Sequence, residues 1–242
     1  MYGNVKVFMN ENKIKHFIIL LIIGTFVIHP IKIKANVYEF TKVNGVYINK
    51  YGEEIPGVRK RGIDISAYQK DIDWEEVARD DVSFVFIRCA NTNQGIDETF
   101  ETNAKGALKN GIPIGIYYRS TALTKKQALL EAKYTIQEAK KYHVTYPLVI
   151  DVEGYPMSEL SKENLREIIK VFCEEVKSAG YEPMIYASKD WFENRIGNLP
   201  YRRWVAQYNS ECTYNGKRSF WQCSSKGKIR GIKGNVDIDF QY

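Results

Sequence analysis

Histidine is scarce in this chain: three in 242 residues, at positions 16, 29 and 143. His16 and His29 flank an apolar segment near the N-terminus, so a Ser-His-Asp or Cys-His site would depend on His143 alone. That residue ends a predicted helix with no evident partner, a place where the helix dipole favours a cation. Cysteine is sparse too. Four in this length exclude a disulfide scaffold, and no CxxC or HxxxH spacing supports a zinc site. No glycine-rich phosphate loop follows a predicted strand, which weighs against a nucleotide fold. No basic stripe with a matching fold supports nucleic-acid binding. No cofactor and no metal is expected, and there is no internal repeat or low-complexity tract.

A long hydrophobic run is missing as well. The one continuous apolar stretch, residues 17–28 (FIILLIIGTFVI), is short of the roughly 20 residues that span a bilayer. Lys6, Lys13 and Lys15 precede it and small Ala35 follows. This is the layout of a secretory signal, with an uncleaved N-terminal anchor as the alternative. The expected location is therefore secreted or at the cell surface, with membrane contact only through this segment if it is retained. Residues 1–35 carry five lysines against one glutamate, a net +4 of the chain's +6. The basic balance thus belongs mostly to export, and the remainder is nearly neutral.

Residues 36–60 read as a lead-in strap, with Asn44-Gly45 as a hairpin signal and Pro56-Gly57 as punctuation. From residue 61 to 242 strands and helices alternate. Apolar runs at 83–89, 113–118, 147–153 and 183–187 read as buried strands. Between them lie amphipathic helices at 97–110, at 124–141 behind a Thr124/Gln127 capping box, and from Ser161 to near Gly180. This pattern predicts an α/β fold: an irregular (β/α) barrel of TIM-barrel type with an antiparallel C-terminal portion. That portion is expected to include a hairpin of 203–208 with 218–222 around Asn215-Gly216. Cys212 and Cys223 flank the hairpin, so export would permit a disulfide between them. Cys89 and Cys173 read as buried thiols.

Chemistry concentrates in carboxylates. Asp151-Val152-Glu153 closes an apolar strand, so its two acids share a face at the end where barrel active sites form. Close carboxylates separate each other's pKa values, which glycosidic cleavage exploits. Asp64 ends the first strand of the barrel pattern and Asp237 lies in the last. Four acids at strand ends would converge in a barrel mouth. Aromatic residues accompany them at Tyr68, Tyr117, Tyr118, Tyr186, Trp204, Tyr208 and Trp221. Sugar rings pack apolar faces on such rings. Tyr68, Tyr118, Tyr186 and Trp204, with Gln207, are the expected sugar-binding positions.

The segments Gly62-Ile-Asp64-Ile-Ser66-x-Tyr68-Gln69 with Asp71-Ile-Asp73-Trp74, then Pro147-Leu-Val-Ile-Asp151-Val-Glu153, Arg203-Trp-Val-Ala-Gln-Tyr-Asn209, Phe220-Trp-Gln222 and Gly234-Asn-Val-Asp237-Ile-Asp239 occur in this order. Together they resemble glycoside hydrolase family 25, the lysozyme-type muramidases, over residues 61 to the C-terminus. The resemblance implies an irregular β/α barrel that cleaves the β-1,4 bond between N-acetylmuramic acid and N-acetylglucosamine in peptidoglycan glycan strands. It implies Glu153 as general acid/base, Asp151 as the acid that assists through the acetamido group or as nucleophile, and Asp64 and Asp237 as supporting acids. Asp239 stands where the family often has Asn, and would add charge near the site. The alternatives are a chitinase- or glucosaminidase-type glycosidase and a non-catalytic wall-binding module. A monomer is expected.

Overall fold

The structure, a computed structural model, describes residues 40–91 and 95–242. The apolar segment 17–28 and Ala35 lie outside the described residues. The first described element is a hairpin, β1 (Thr41–Val43) with β2 (Val46–Ile48), turning at Asn44 and Gly45. It leans on the outside of the barrel. The Phe40 ring meets Trp221 and Phe240 edge-on, and the Tyr47 hydroxyl accepts the backbone N–H of Arg61 at 3.1 Å.

Eight strands then close a barrel. They are β3 (Lys60–Ile65), β4 (Val85–Asn91), β6 (Ile114–Arg119), β7 (Leu148–Asp151), β8 (Pro183–Ser188), β9 (Arg202–Ala206), β10 (Phe220–Gly227) and β11 (Val236–Gln241). A two-residue β5 (Gly95–Ile96) folds back on the end of β4. Every neighbouring pair from β3 to β10 is parallel. β11 runs against both β10 and β3 and closes the ring. The antiparallel end of the barrel is therefore β10–β11–β3.

The hairpin expected around Asn215-Gly216 is not there. β9 and β10 pair in parallel, with Trp204 opposite Phe220. A parallel pair needs a crossover of a dozen or more residues, and the chain between Ala206 and Phe220 supplies it without a helix. The argument for a Cys212–Cys223 bridge falls with the hairpin. All four cysteines are free, and the Cys223 thiol donates to the Ile238 carbonyl at 3.3 Å.

Helices cover the outside. They are α1 (Trp74–Ala78), α2 (Phe100–Lys109), α3 (Lys125–Ala139) and α4 (Lys162–Ser178). The Thr124 hydroxyl accepts the N–H of Gln127, whose side chain returns to the N–H of Thr124, so two orphan donors of α3 are satisfied. Ser161 caps α4 in the simpler way. Leu165, Ile169, Phe172 and Val176 recur at helical spacing on α4 and are fully buried against the barrel. Between β8 and β9 a short helix Lys189–Trp191 runs into a π-turn Phe192–Ile196.

Strand alternation decides what fills the lumen. Residues of one parity face the helices; those of the other face inward. Phe84, Phe86, Val149, Met184, Trp204 and Phe220 form an inner apolar plug, with Phe86 stacked on Trp204 at 4.6 Å. Space here is tight. A Cβ on Gly115 would fall 2.4 Å from the Phe86 ring, which only a glycine avoids. Along the same inward rows, toward the C-terminal ends of the parallel strands, the side chains turn polar. Phe84 and Phe86 lead to Arg88, Gly115 leads to Tyr117 and Arg119, Val149 leads to Asp151, and Phe220 leads to Gln222.

Candidate active site

That polar layer is the floor of a cleft of about 180 Å3. Each strand delivers one or two side chains. β3 places Asp64 directly opposite Asp237 of β11. β7 places Asp151 between Arg119 of β6 and Tyr186 of β8. The ladder runs one residue past β7, with Val152 donating to the Tyr186 carbonyl at 2.9 Å. Glu153 is the first side chain beyond it, followed by Gly154 at φ 62°, a left-handed conformation suited to glycine. Asp64, Asp151, Glu153 and Asp237 all line this one cavity.

Burial divides the acids. Asp64 and Asp151 are 6% and 5% exposed, while the Glu153 side chain is 40% exposed and pairs with Arg119, Oε1 to Nη2, at 3.1 Å. Burial, and next the Asp237 charge, hold the Asp64 carboxyl well above the usual carboxylate range. Burial and then Glu153 raise Asp151 in the same direction, against the pull of Arg119 and Arg88. Burial and Glu153 push Asp237 up to about 6. The cluster is thus arranged to hold protons that an isolated carboxylate would have lost. Asp151 Oδ1 is buried and has no hydrogen-bond partner among the described residues.

A polar network ties the floor together. Gln222 donates from Nε2 to Asp64 Oδ2 at 2.7 Å. Its Oε1 accepts the hydroxyls of Tyr186 at 2.7 Å and Tyr208 at 3.0 Å. Beneath it Trp204 Nε1 donates to Asp239 Oδ1 at 2.7 Å. Arg88 is locked by Asp97, with Nε and Nη2 each 2.8 Å from Oδ2. Asp97 also accepts the backbone N–H of Ala67 and so fixes the loop bearing Tyr68. Tyr68, 77% exposed, forms part of the rim.

Among the expected sugar-binding residues, Tyr68, Tyr186 and Trp204 line the cleft; Tyr118 and Gln207 do not. Tyr118 has the outward parity of β6 and meets Tyr134 of α3 edge-on at 6.1 Å. Its neighbour Tyr117 is the inward residue. Gln207 lies just past β9 and braces the crossover, bonding Thr213 through both amide atoms. Tyr208, named only as one of the aromatics accompanying the acids, also lines the cleft, as do Arg88, Arg119 and Gln222, which were not among the expected sites. Parity from Gly115, a glycine required by the crowded lumen, would have picked Tyr117 and Arg119.

Comparison with known proteins agrees with this architecture. The model of a family described as glycosyl hydrolases family 25 matches residues 63–232. The chain is 31% identical over 189 residues to the uncharacterized protein YegX of Escherichia coli O157:H7, covering 74% of this chain and 68% of that one. It is 26% identical over 196 residues to Lysozyme M1 of Streptomyces globisporus, covering 73% and 66%. Among solved structures, the modular autolysin LytC from Streptococcus pneumoniae, in complex with a synthetic peptidoglycan ligand, is similar with a TM-score of 0.73 at 25% identity. That match covers 85% of this chain and 52% of LytC, so the chain spans about half of that modular protein.

Proposed function

The chain belongs to glycosyl hydrolases family 25 and is a glycoside hydrolase; from that premise we propose that it hydrolyses peptidoglycan at the β-1,4 bond between N-acetylmuramic acid and N-acetylglucosamine. The observation that carries this reading is the meeting of Asp64, Asp151, Glu153 and Asp237 in one cleft at the C-terminal end of the parallel barrel strands.

Glu153 protonates the leaving oxygen and later draws a proton from water. It is the acid at the open level of the cleft, where an incoming glycosidic oxygen can reach it. Asp151 lies deeper. Its unpartnered Oδ1 suits an acetamido N–H, so it would hold that group while the acetamido carbonyl attacks the anomeric carbon. This substrate-assisted route departs from the usual two-carboxylate scheme. Asp64 and Asp237 complete the carboxyl floor of the cleft, and Asp237, pushed up to about 6, is negative at neutral pH and would steady the developing positive charge. Tyr68, Tyr186 and Trp204 offer the apolar surfaces for sugar rings. Residues 61–242 would be the catalytic unit, and the run at 17–28 would export it to the wall.

Digestion of purified peptidoglycan followed by borohydride reduction tests the reading. Muramitol among the products supports it. Glucosaminitol would make the enzyme a glucosaminidase. Binding without new reducing ends would make the chain a wall-binding module.

A further inference from the structure

Four cations stand close together at the end of β10 and in the loop beyond it: Lys226, Lys228, Arg230 and Lys233, with no acid among residues 226–233. All four are exposed. Residues 36–242 are nearly neutral as a whole, so outside this segment they are net negative. The segment takes no part in the mechanism above. Lys228 and Arg230 line a second cavity, of about 450 Å3, which they share with Thr41 of the hairpin and with Arg61 and Asp80. None of these residues lines the catalytic cleft.

The backbone beneath these cations is firmly held. Ile229 and Ile232 are buried, and Ile232 bridges to Ile72. The Asp73 N–H donates to the Gly231 carbonyl at 2.9 Å. Gly231 has φ 83°, and a Cβ there would fall 2.2 Å from the Asp73 carbonyl oxygen, so the loop lies hard against the start of α1. The Arg230 N–H donates to Asp80 Oδ2 at 3.1 Å, and Lys228 Nζ donates to the Gly234 carbonyl at 2.8 Å. Apolar side chains thus point in and cations point out. The acids nearest the loop are already engaged. Glu75 and Glu76 pair with Arg79, Asp80 pairs with Arg61 at 2.9 Å, and Asp73 caps α1. Among the described residues, none of the four cations forms an ion pair.

Like charges gathered on a fixed backbone raise the local concentration of their counter-ions. The segment has no aromatic ring on which a nucleic-acid base could stack. Its two large apolar side chains are buried, so nothing projects that could enter a lipid surface. What it offers is repeated charge. Lys226, Lys228 and Arg230 are alternate residues, about 6.5–7 Å apart where the chain is extended. That suits a flexible chain with an anion at each repeat. We propose that residues 226–233 dock a linear phosphodiester polyanion of the kind attached to wall glycan, and that they tether the enzyme to the wall apart from its catalytic cleft.

Binding needs no turnover, so the hydrolase reading can fail while this one stands. The probe is long-chain inorganic polyphosphate, titrated at about 50 and 200 mM salt. The variant K226Q/R230Q/K233Q keeps Lys228 and its bond to Gly234. The control K126Q/K133Q/K140Q removes the same charge from exposed positions on and just after α3. At low salt the loop variant should bind at least about tenfold more weakly, and the control less than about threefold. The slope of log affinity against log salt should fall by about two to three in the loop variant, near one for each cation removed. Intact cell walls should retain the wild type better than walls stripped of phosphate polymers by hydrofluoric acid, and the loop variant should not distinguish them. Hydrolysis of stripped peptidoglycan should be the same for both proteins; a loss there would place the cations in the reaction instead. Equal weakening in the control, no binding of polyphosphate by the wild type, or tighter binding to DNA or to anionic vesicles at equal charge overturns the proposal. If the triple variant fails to fold, Arg230→Gln and Lys233→Gln decide singly, each expected to lose about twofold to fourfold at low salt. Unchanged affinity in both overturns it.

Discussion

Arg119 Nη2 lies 3.1 Å from Glu153 Oε1, joining the end of β6 to the first residue beyond β7. Both side chains are about two-fifths exposed, so the pair is screened by water and adds little to folding. Its consequence is geometric: it turns the Glu153 carboxylate along the cleft wall. Arg119→Met is expected to change stability by less than about 1 kcal/mol. The same variant should lower kcat/KM on peptidoglycan by about tenfold or more, because a loosened acid is seldom aligned with its substrate. Melting curves beside turbidity assays check both halves, and a large loss of stability with normal kinetics would refute the argument.

Glu153 itself can be neutralised without disturbing the core, since it stands outside the strand ladder. Glu153→Gln should reduce hydrolysis by about 10²–10⁴-fold, the usual share of a general acid. Its melting temperature and its co-sedimentation with insoluble peptidoglycan should stay near wild type. Near-normal clearing of cell walls by this variant would remove Glu153 from the assigned role.

Gln222 joins three cleft groups at once, giving a hydrogen bond to Asp64 and taking one each from Tyr186 and Tyr208. It is 3% exposed, so water cannot replace what is lost. Gln222→Leu would strand a buried carboxyl and the Tyr186 hydroxyl. The expected cost is about 2–4 kcal/mol in urea unfolding, from unsatisfied buried polar groups. Gln222→Glu should also lower activity, because it sets another acid against Asp64.

The barrel was legible because its signals are local. The capping residues Thr124 and Ser161, the apolar face of α4 and the run ending at Asp151 each announce one element within a few residues. The acids Asp64, Asp151, Glu153 and Asp237 were legible because strand ends converge at a barrel mouth. Partnership between distant strands was harder to read. Asn215-Gly216 has hairpin chemistry, yet β9 and β10 are parallel, because closure of the ring and the Trp204–Phe220 register outweigh a local turn preference. Tyr118 and Gln207 were misplaced for a related reason: facing direction depends on where a strand begins, and one residue reverses it. Gln222 and Asp239 gain meaning only from Asp64 and Trp204, 158 and 35 residues away in sequence, and Arg88 only from its ion pair with Asp97.

Asp237 sets a pH dependence whose direction can be worked out. Burial and the Glu153 charge push its carboxyl up to about 6, from an ordinary value of 3.8. Between those values the folded protein binds more protons at this site than the unfolded chain. Stability therefore falls as pH rises through this window and stays lower above it. Asp237→Asn keeps the uncharged shape at every pH. It should match the wild type near pH 3.5 and exceed it at pH 7 by about 2 kcal/mol, a two-unit shift discounted for partial exposure. Hydrolysis should fall in the same variant, since a charge is lost from the cleft floor. Glu153→Gln removes the second cause of the shift, so the pH 7 gain from Asp237→Asn should shrink in that background. Urea unfolding of the two single variants and the double variant at both pH values measures this coupling. A gain that is equal at pH 3.5 and pH 7, or unchanged by Glu153→Gln, would show that the two acids do not act on each other across the cleft.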